Sequence, residues 1–379
     1  MINSKPKRIL IFSFAYYPQS IGGAEVAIKE ITDRLPQNDY EFDMVTLRKN
    51  SSAFEKIGNV NVYRVGSNKY FFTILGALKA FELHKKNKYD AIWSMMANYA
   101  GFAALFFKTK YPKVPFILSL QEGDPIDYIK RRVRFVYPIF KKIFTKADTI
   151  QTISNYLADF ARDMSSFSSP SGQGKNIVVV PNGVNVKNFS SATPEFTKTT
   201  GDIFLITASR LVVKNAVSDI VKALKFLPEN VKLFVCGEGY EEGNLLVLAN
   251  NLSLGDRVIF KGFVPQENLP KYLKACDIFV RPSLSEGFGN SFIEAMAARI
   301  PVIATPVGGI TDFLIDKRTG LFCGVSDPKD LALKVQIYLR DINLRNEIID
   351  NAFEMVKEKY DWNLIAKDMK EKVFEKTIL

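Results

Sequence analysis

The stretch RPSLSEGFGNSFIEAMA (residues 281–297) combines residue types that can bind a phosphate. Gly287 and Gly289 allow the backbone to approach a ligand closely. Asn290 or Ser291 can cap the helix that the following apolar residues predict. Amides at the start of a helix favour an anion. The spacing therefore indicates an anion-binding turn between a strand and a helix.

Two carboxylates flank this turn, Glu286 in the loop and Glu294 in the first part of the helix. Carboxylate oxygens accept hydrogen bonds and therefore suit sugar hydroxyls. Ser291 and Glu294 also fit a capping box, in which the glutamate bonds to the backbone of the cap. Glu286 also fits a solvated loop acid, so the spacing alone leaves both interpretations open.

Three further motifs follow predicted strands. In SRLVVKN (209–215), Arg210 and Lys214 could reach a pyrophosphate, although two exposed basic residues would give the same pattern. CGEGY (236–240) and TPVGG (305–309) predict tight glycine turns. Ligands of open α/β sheets bind at the carboxyl ends of strands, which is where all four motifs are predicted to lie.

The elements that must position these motifs are short apolar runs separated by helical patterns. Runs rich in Val, Ile and Phe without alternation are typical of strands buried on both faces, and helices between them predict parallel sheets. The predicted strands are 8–15, 42–47, 60–65, 91–94, 116–120, 149–153, 177–180, 203–208, 232–236, 258–260, 278–281 and 301–304.

A break in this alternation predicts two domains. A Ser/Gly-rich segment at 165–174 is typical of a loop, and the polar segment 190–201 is typical of a linker. The length of 379 residues suggests two or three domains, and two large ones fit best. The sequence therefore predicts an α/β protein of two Rossmann-like, doubly wound domains that face a central cleft and join near residue 190.

At this point the chain resembles the retaining family 4 glycosyltransferases (glycosyl transferases group 1), which have the GT-B fold. The matches follow the family's order and spacing over roughly residues 8–340. They are Glu286-x7-Glu294, Arg210-Leu211, VVVPNGVNVKNF (178–189), the GEG loop, FKGFVP (260–265) and IPVIATPVGGITDFL (300–314).

The resemblance implies an acceptor-binding domain over 1–188 and a nucleotide-sugar-binding domain over 189–360, with a C-terminal helix over 361–379 that crosses back to the first. The implied enzyme is a hexosyltransferase-type, metal-independent glycosyltransferase (EC 2.4) without a cofactor. It would move a sugar from a nucleotide-diphosphate sugar to a lipid-linked or glycan acceptor, in the synthesis of cell-surface polysaccharide or glycolipid.

The resemblance also implies roles for individual residues. Glu286 would contact the transferred sugar, Glu294 the ribose, and Arg210 the leaving diphosphate, while Phe263 and Val264 would lie near the base. The implied catalytic residues are Glu286, Arg210 and Lys214. The implied donor-binding residues are Gly22, Gly23, Gly237, Glu238, Phe263, Val264, Gly287, Phe288, Gly289, Asn290 and Glu294.

The chain departs from the family pattern at two places. The family usually has a lysine where this chain has Asn215, so we expect the neighbouring Lys214 to take that role. Many relatives carry a histidine where this chain has Gln121, which cannot act as a base. We expect Gln121 to hold a hydroxyl on the acceptor side, with acid/base work left to Glu122, Asp124 or a leaving phosphate oxygen. The single histidine, His84, is expected to be exposed.

The net charge of +11 is confined to the first half of the chain. Residues 1–200 contain 28 basic and 16 acidic residues, whereas residues 201–379 contain 23 and 24. Within 127–148 the basic residues alternate with aromatic ones, which suits an anionic membrane surface or acceptor. A solvated basic helix face would give the same pattern. The residues of this predicted contact are Lys130, Arg131, Arg132, Arg134, Lys141 and Lys142.

Composition excludes several classes of protein. Apolar residues make up 47% and charged residues 24%, as in ordinary globular proteins. Three widely spaced cysteines and one histidine argue against a thiolate or imidazole metal site, and the cysteines are expected to be buried and free. No run has the ~20 apolar residues of a membrane span. A cytoplasmic protein is therefore expected, and the basic segment 127–148 would allow it to be peripheral at the inner face of the cell membrane.

Two other functions remain open at this point. The basic first half would also suit a non-catalytic binder of nucleic acid or another anionic polymer. As a further alternative, the same fold would also carry an epimerase or a phosphorylase. Nucleic acid is the less favoured partner, because a pure binder has no need of the donor motifs.

Overall fold

The computed structural model describes residues 5–66, 68–165, 175–199 and 201–378. It divides the chain into two compact units, Met1–Asn182 with Trp362–Leu379, and Gly183–Asp361. Residues 183–188, expected in the first domain, therefore lie in the second unit, where the amide of Val184 donates to the carbonyl of Tyr360 at 2.8 Å. The loop predicted at 165–174 lies outside the described residues from 166 onward.

The described residues of the first unit form one eight-stranded sheet. Its strands are β1 Lys7–Phe12, β2 Tyr40–Leu47, β3 Phe54–Ile57, β4 Val60–Val65, β5 Ala91–Met95, β6 Phe116–Leu120, β7 Thr149–Thr152 and β8 Asn176–Val179. The order is β3-β4-β2-β1-β5-β6-β7-β8, with every pair parallel except β3 and β4. The edge strand β3 is absent from the sequence prediction because it is short and largely exposed.

Helices connect these strands, as the parallel pairing requires. They are α1 Gly23–Arg34, α2 Lys69–Asn87, α3 Tyr99–Lys110, α4 Ile126–Arg132, α5 Tyr137–Lys146 and α6 Asn155–Ser165, with a 3₁₀ turn at Arg134–Val136. Helices α2 and α5 both pack against α3. Asn68 and Asn98 cap α2 and α3 by accepting a hydrogen bond from a first-turn amide.

The second unit repeats the same architecture. Its short helix α7 spans Val186–Ser190. Its strands are β9 Ile203–Ala208, β10 Val231–Cys236, β11 Val258–Gly262, β12 Ile278–Arg281, β13 Val302–Ala304 and β14 Leu321–Phe322. They form a parallel sheet in the order β11-β10-β9-β12-β13-β14. The sequence did not predict β14, which has only two residues.

The remaining helices of the second unit cover its sheet. They are α8 Val217–Ala223, α9 Glu242–Asn251, α10 Leu269–Ala275, α11 Asn290–Ala297, α12 Pro328–Arg340 and α13 Ile342–Lys359, with 3₁₀ turns at Val213–Asn215, Leu224–Phe226, Gly255–Arg257 and Gly308–Asp312. Cys236, Cys276 and Cys323 are buried and free, as predicted.

The end of the chain belongs to the first unit. The helical segments α14 Trp362–Asp368 and α15 Glu375–Thr377 are joined by a π-helical turn, Met369–Phe374. Trp362 and Phe374 are almost completely buried, and they share one apolar core with β1, β2 and β5. Burial of this segment therefore stabilises the first sheet.

Trp362→Ala should test how much the first unit depends on its C-terminal segment. We expect the free energy of unfolding of this unit to fall by about 3–5 kcal/mol, because the substitution leaves a cavity in the core. Urea unfolding followed by circular dichroism would measure the change. Leu364→Ala is the matched control, since Leu364 is 40% exposed and its truncation should have little effect. Equal effects of the two substitutions would show that this segment contributes little to the core.

Candidate functional site

The polar loops of the second unit meet where its strand order reverses. From β9 the chain adds β10 and β11 on one side and β12 to β14 on the other. The loops after β9 and β12 therefore start side by side at the carboxyl edge before their connections run to opposite sides of the sheet, and this point is the usual ligand-binding position of an open α/β sheet. The amide of Leu284 donates to the carbonyl of Lys214 at 2.7 Å, so the two loops are in contact.

The loop after β10 packs on the backbone of the loop after β9. A side chain at Gly237 would place its Cβ 1.9 Å from the carbonyl oxygen of Ser209, and Gly237 also has a φ of +141°. The amide of Leu211 donates to the carbonyl of Glu238 at 2.8 Å. Residue 237 must therefore be a glycine for the loop after β10 to pack against the loop that carries Arg210.

Arg210 and Lys214 differ in their surroundings. The side chain of Arg210 is exposed, and within the described ranges it forms no ion pair, whereas Lys214 is half-buried. Asn215, at the position of the family's lysine, is buried, and its Nδ2 donates to the carbonyl of Arg210 at 2.6 Å. An amide at position 215 thus fixes the backbone that presents Arg210.

Glu238 and Phe263 come together on neighbouring loops. The carboxylate of Glu238 accepts a hydrogen bond from the amide of Phe263 at 3.1 Å. Phe263 is 56% exposed and Val264 is half-buried, so the ring of Phe263 is open to solvent beside the loop after β10. A flat aromatic surface in this position suits stacking with a planar ligand group.

Glu286 is buried, which excludes the solvated loop acid. Its carboxylate forms an ion pair with the guanidinium of Arg281, the last residue of β12. Its carbonyl accepts a hydrogen bond from the amide of Gly309 at 3.0 Å. A Cβ at Gly308 would lie 1.9 Å from that same carbonyl oxygen. The loop after β13 therefore holds the backbone of Glu286 in place.

Helix α11 begins one residue earlier than the capping pattern predicts. Gly289 is the N-cap and has no side chain, so the expectation of the cap at Asn290 or Ser291 is wrong. The hydroxyl of Ser291 instead accepts a hydrogen bond from Arg281 at 2.9 Å. The first amides of α11 lack a side-chain partner from the N-cap position, which leaves a favourable position for an anion.

The capping box is also wrong for Glu294. This side chain is buried in α11, and its Oε1 accepts a hydrogen bond from Nε2 of Gln266 at 3.0 Å. Burial raises the pKa of Glu294 from 4.5 to about 7, although Gln266 and Arg281 partly offset the effect. Glu294 is therefore a buried acid that changes charge near neutral pH.

Gly287 and Phe288 complete the turn. Gly287 is buried, and its amide donates a hydrogen bond to Oε1 of Glu286 at 3.2 Å. The ring of Phe288 is buried, with its centroid 5.1 Å from that of Phe313 and 5.7 Å from that of Tyr360. The side chain of Phe288 thus belongs to the core, and only its backbone faces the turn.

In the first unit the loop after β6 is fixed by hydrogen bonds. The side-chain amides of Gln121 and Asn182 form two reciprocal hydrogen bonds. Nε2 of Gln121 donates to Oδ1 of Asn182 at 3.0 Å, and Nδ2 of Asn182 donates to Oε1 of Gln121 at 2.9 Å. The carboxylate of Glu122 accepts from the amides of Ala97 and Gln121, both at 2.9 Å. Burial raises the pKa of Glu122, and these two backbone bonds oppose the increase. Asp124 is half-buried in the same loop.

The loop after β1 leads into helix α1. Gly22 is its N-cap and Gly23 its first residue, and both are exposed. Like α11, this helix therefore begins at a glycine, which has no side chain of its own to cap the first amides. Because β1 lies beside β5, where the strand order of the first sheet reverses, α1 begins at the ligand-binding position of this unit.

The expectation that His84 is exposed is wrong. His84 lies in the last turn of α2 and is buried, with its ring centroid 4.5 Å from that of Tyr111. Its Nδ1 accepts a hydrogen bond from the amide of Tyr89 at 3.1 Å, and burial lowers its pKa. The surrounding lysines suggested a solvated segment, but helical spacing turns His84 toward α3.

Sequence reasoning missed three residues of this site, Arg281, Asn215 and Gln266. Arg281 carried a signal, because a charged residue directly after the apolar run of a buried strand must find a partner. Asn215 was noted only as a missing lysine. Gln266 carried no signal, since its contact with Glu294 depends on the packing of the loop after β11 against α11.

Glu294→Gln should change the pH dependence of folding. In the native protein the pKa of Glu294 is about 7 instead of 4.5, so its ionisation destabilises the folded state as pH rises through this range. Between pH 5 and pH 8 the free energy of unfolding of the wild type should therefore fall by on the order of 1–3 kcal/mol more than that of the variant. Urea unfolding at about pH 5 and pH 8 would measure the difference.

Glu267→Gln is the control for that experiment, because Glu267 is an exposed neighbour of Gln266. It should follow the wild-type profile. Parallel profiles for Glu294→Gln and the wild type would contradict a raised pKa at Glu294.

Comparison with known proteins identifies the family. The family model described as glycosyl transferases group 1 matches residues 189–355, and the model described as Glycosyltransferase Family 4 matches residues 21–188. An uncharacterised glycosyltransferase of Methanocaldococcus jannaschii is 28% identical over 95% of this chain and 96% of its own length. The alpha-monoglucosyldiacylglycerol synthase of Streptococcus pneumoniae is 24% identical over 93% of this chain and 83% of its own.

A solved structure shows the same fold. The Anabaena protein HepE, in complex with UDP-glucose, superposes with a TM-score of 0.79 at 16% identity, covering 97% of this chain and 99% of that one. Because the two family models together match most of the chain, it belongs to the family 4 (group 1) glycosyltransferases, with the two-domain GT-B fold.

Proposed function

We propose that the protein transfers a hexose from a nucleotide-diphosphate sugar to a lipid-linked or glycan acceptor, with retention of anomeric configuration. The observation that carries the proposal is the meeting of the loops after β9 and β12, which brings cationic and carboxylate side chains to one edge of the second sheet. HepE is a relative in fold whose structure contains UDP-glucose.

The chemistry of the transfer suits these residues. Positive charge develops on the sugar ring and negative charge on the departing diphosphate. Arg210, Lys214 and the N-terminal end of the α11 dipole would stabilise the diphosphate. Glu286 would orient the sugar through its hydroxyls, and Glu294 would bind the ribose. The base would stack near Phe263.

The transfer is proposed to proceed without a metal ion, because fixed cations can neutralise the diphosphate. Among the residues that the structure describes, no three His, Cys, Asp or Glu side chains are grouped so as to hold a metal. Activity that persists unchanged in excess EDTA would support this part of the proposal, and loss that Mg²⁺ or Mn²⁺ reverses would refute it.

On the acceptor side, we propose that the loop after β6 of the first unit binds the incoming group, with Gln121 holding a hydroxyl. Gly22 and Gly23 would instead belong to donor binding, where the amides of α1 would favour the diphosphate. Glu122 or Asp124 would take part in proton transfer, unless a phosphate oxygen of the donor accepts the proton. Burial raises the pKa of Glu122, which favours its protonated form and so suits a group that takes part in proton transfer.

Arg210→Ala should weaken binding of nucleoside diphosphates roughly 10–100-fold, because a charged hydrogen bond to the diphosphate is lost. Transfer from the nucleotide-sugar should fall by about 100-fold or more. Thermal-shift titration with UDP and GDP, followed by transfer of labelled sugar to membrane extracts, would measure both. The anomeric configuration of the product, read by NMR, tests retention.

Arg340→Ala is the control, since Arg340 is exposed at the far end of α12. It should bind and transfer like the wild type. If the wild type consumes no nucleotide-sugar with any extract, the proposed transfer is wrong. Conversion of the donor without an acceptor would instead indicate an epimerase.

A lipid-linked acceptor is supported by the surface of the first unit. Phe135 is 85% exposed, and the guanidinium of Arg134 lies 4.5 Å from the centre of its ring. We name this region the aromatic–basic surface. Its exposed residues are Tyr128, Arg131, Arg132, Arg134, Phe135, Val136, Ile139 and Lys142. Within the predicted contact, Lys130 instead lies 3.8 Å from Asp163, and Lys141 is half-buried.

Helix α2 adds a second exposed apolar face, which we name the α2 stripe. Its residues recur at helical spacing on the solvent side; they are Tyr70, Phe71, Ile74, Leu75 and Leu78. Helices α2 and α5 both pack against α3, so both apolar regions lie on the same helical layer. Exposed apolar residues beside arginines suit the headgroup region of an anionic membrane. No helix among the described residues is long and apolar enough to cross a membrane.

We therefore propose that the protein is peripheral at the inner face of the cell membrane. Phe71→Asp and Phe135→Asp should each weaken binding to phosphatidylglycerol vesicles about tenfold or more, because apolar burial is replaced by a repelled charge. Co-sedimentation would measure the binding, which should also fall with added salt. Val247→Asp, on the exposed side of α9, is the matched control. Equal binding by all three variants would refute the proposal.

A further inference from the structure

Arg281 is a buried cation that the proposed function leaves without a role. It ends β12 and is 9% exposed, and its guanidinium lies over the ring of Phe292 with the central carbon 5.4 Å from the ring centre. A buried charge is costly unless it is paired and hydrogen-bonded. The partners of Arg281 therefore indicate why a charged residue is kept at this buried position.

Its partners all come from the candidate donor site. Nη2 forms an ion pair with the carboxylate of Glu286 and also donates to Oδ1 of Asn215 at 3.1 Å. Nη1 donates to the hydroxyl of Ser291 at 2.9 Å. One guanidinium thus connects the loop after β9, the loop after β12 and the first turn of α11. Its Nε, which is also buried, has no hydrogen-bond partner among the described residues.

The neighbour at position 215 accounts for the departure from the family pattern. The amide of Asn215 receives a hydrogen bond from Arg281 and donates one to the carbonyl of Arg210. A lysine at this position would begin beside the guanidinium, where two cations repel each other in a buried setting. Asparagine can accept from Arg281, which lysine cannot do.

We propose that Arg281 is a positioning residue of the donor site, which holds the carboxylate of Glu286 by an ion pair and the loop after β9 through Asn215. This inference rests on the proposed function, since it assigns Glu286 to the transferred sugar. Arg281 itself need not touch the donor. Its role is to orient Glu286 and to make asparagine the compatible residue at position 215.

The positioning role predicts a selective defect. Arg281→Met removes the ion pair with Glu286 and the hydrogen bond to Asn215. Asn215 can still donate to the carbonyl of Arg210, and Leu284 to the carbonyl of Lys214, so the backbone that presents both cations keeps these supports. Binding of the nucleoside diphosphate should therefore change little. The kcat of sugar transfer should fall about 100-fold, since a displacement near 1 Å at the reacting centre has this effect.

Two further variants keep the test decisive if Arg281→Met unfolds. Arg281→Lys retains the charge with fewer hydrogen bonds and should recover part of the lost kcat. The double variant Asn215→Lys with Arg281→Met supplies the cation from the other loop. If Arg281→Met folds, the double variant should transfer sugar faster than Arg281→Met does. If Arg281→Met unfolds, the double variant should still fold. Asn215→Lys alone places two cations together and should lower both stability and kcat.

The experiment compares melting temperature, affinity for UDP and GDP, and kcat and KM for the nucleotide-sugar across these variants. Loss of kcat with retained diphosphate affinity in Arg281→Met or Arg281→Lys supports the inference. A folded Arg281→Met with wild-type kcat and KM overturns it, as does a fully active Asn215→Lys. Failure of the wild type to bind or transfer any nucleotide-sugar would instead refute the proposed function itself.

Discussion

The structure of the second unit depends on one constraint, the parallel direction of all its strands. Because every strand ends at the same edge, the polar residues that follow each apolar run converge without any further device. Strand β9 is decisive, since the chain diverges to both sides of it. The first sheet obeys the same rule around β1, and the antiparallel β3 lies at its outer edge, away from the reversal.

Convergence of polar loops creates an electrostatic problem, which the two glutamates of the second unit meet differently. Glu286 is paired with a cation, whereas the carboxylate of Glu294 accepts a hydrogen bond from the neutral amide of Gln266. The consequence appears in the raised pKa of Glu294. Glu286 thus has a cationic partner, whereas the charge of Glu294 is sensitive to pH and to whatever binds near it.

The fold and the family could be predicted from the sequence because both depend on short local patterns of residues. Apolar runs without alternation predicted the buried parallel strands, and the two-domain GT-B fold is confirmed. Prediction from the sequence failed where a residue's surroundings come from distant segments. His84 is buried by α3, and Glu294 bonds to Gln266 from another loop, although local spacing suggested a solvated histidine and a capping box. The roles of the site residues stay predictions.

Close backbone contacts join the loops that follow β9, β10, β12 and β13 in the second unit. Gly237 has no room for a Cβ against Ser209, and Gly308 has none against the carbonyl of Glu286. The loops after β9, β10, β12 and β13 therefore fit one another as a set. An exchange of one loop with that of a relative would disturb its neighbours. A change of donor preference in this fold is thus easier to achieve through side chains that face the ligand, or by transplanting the four loops together.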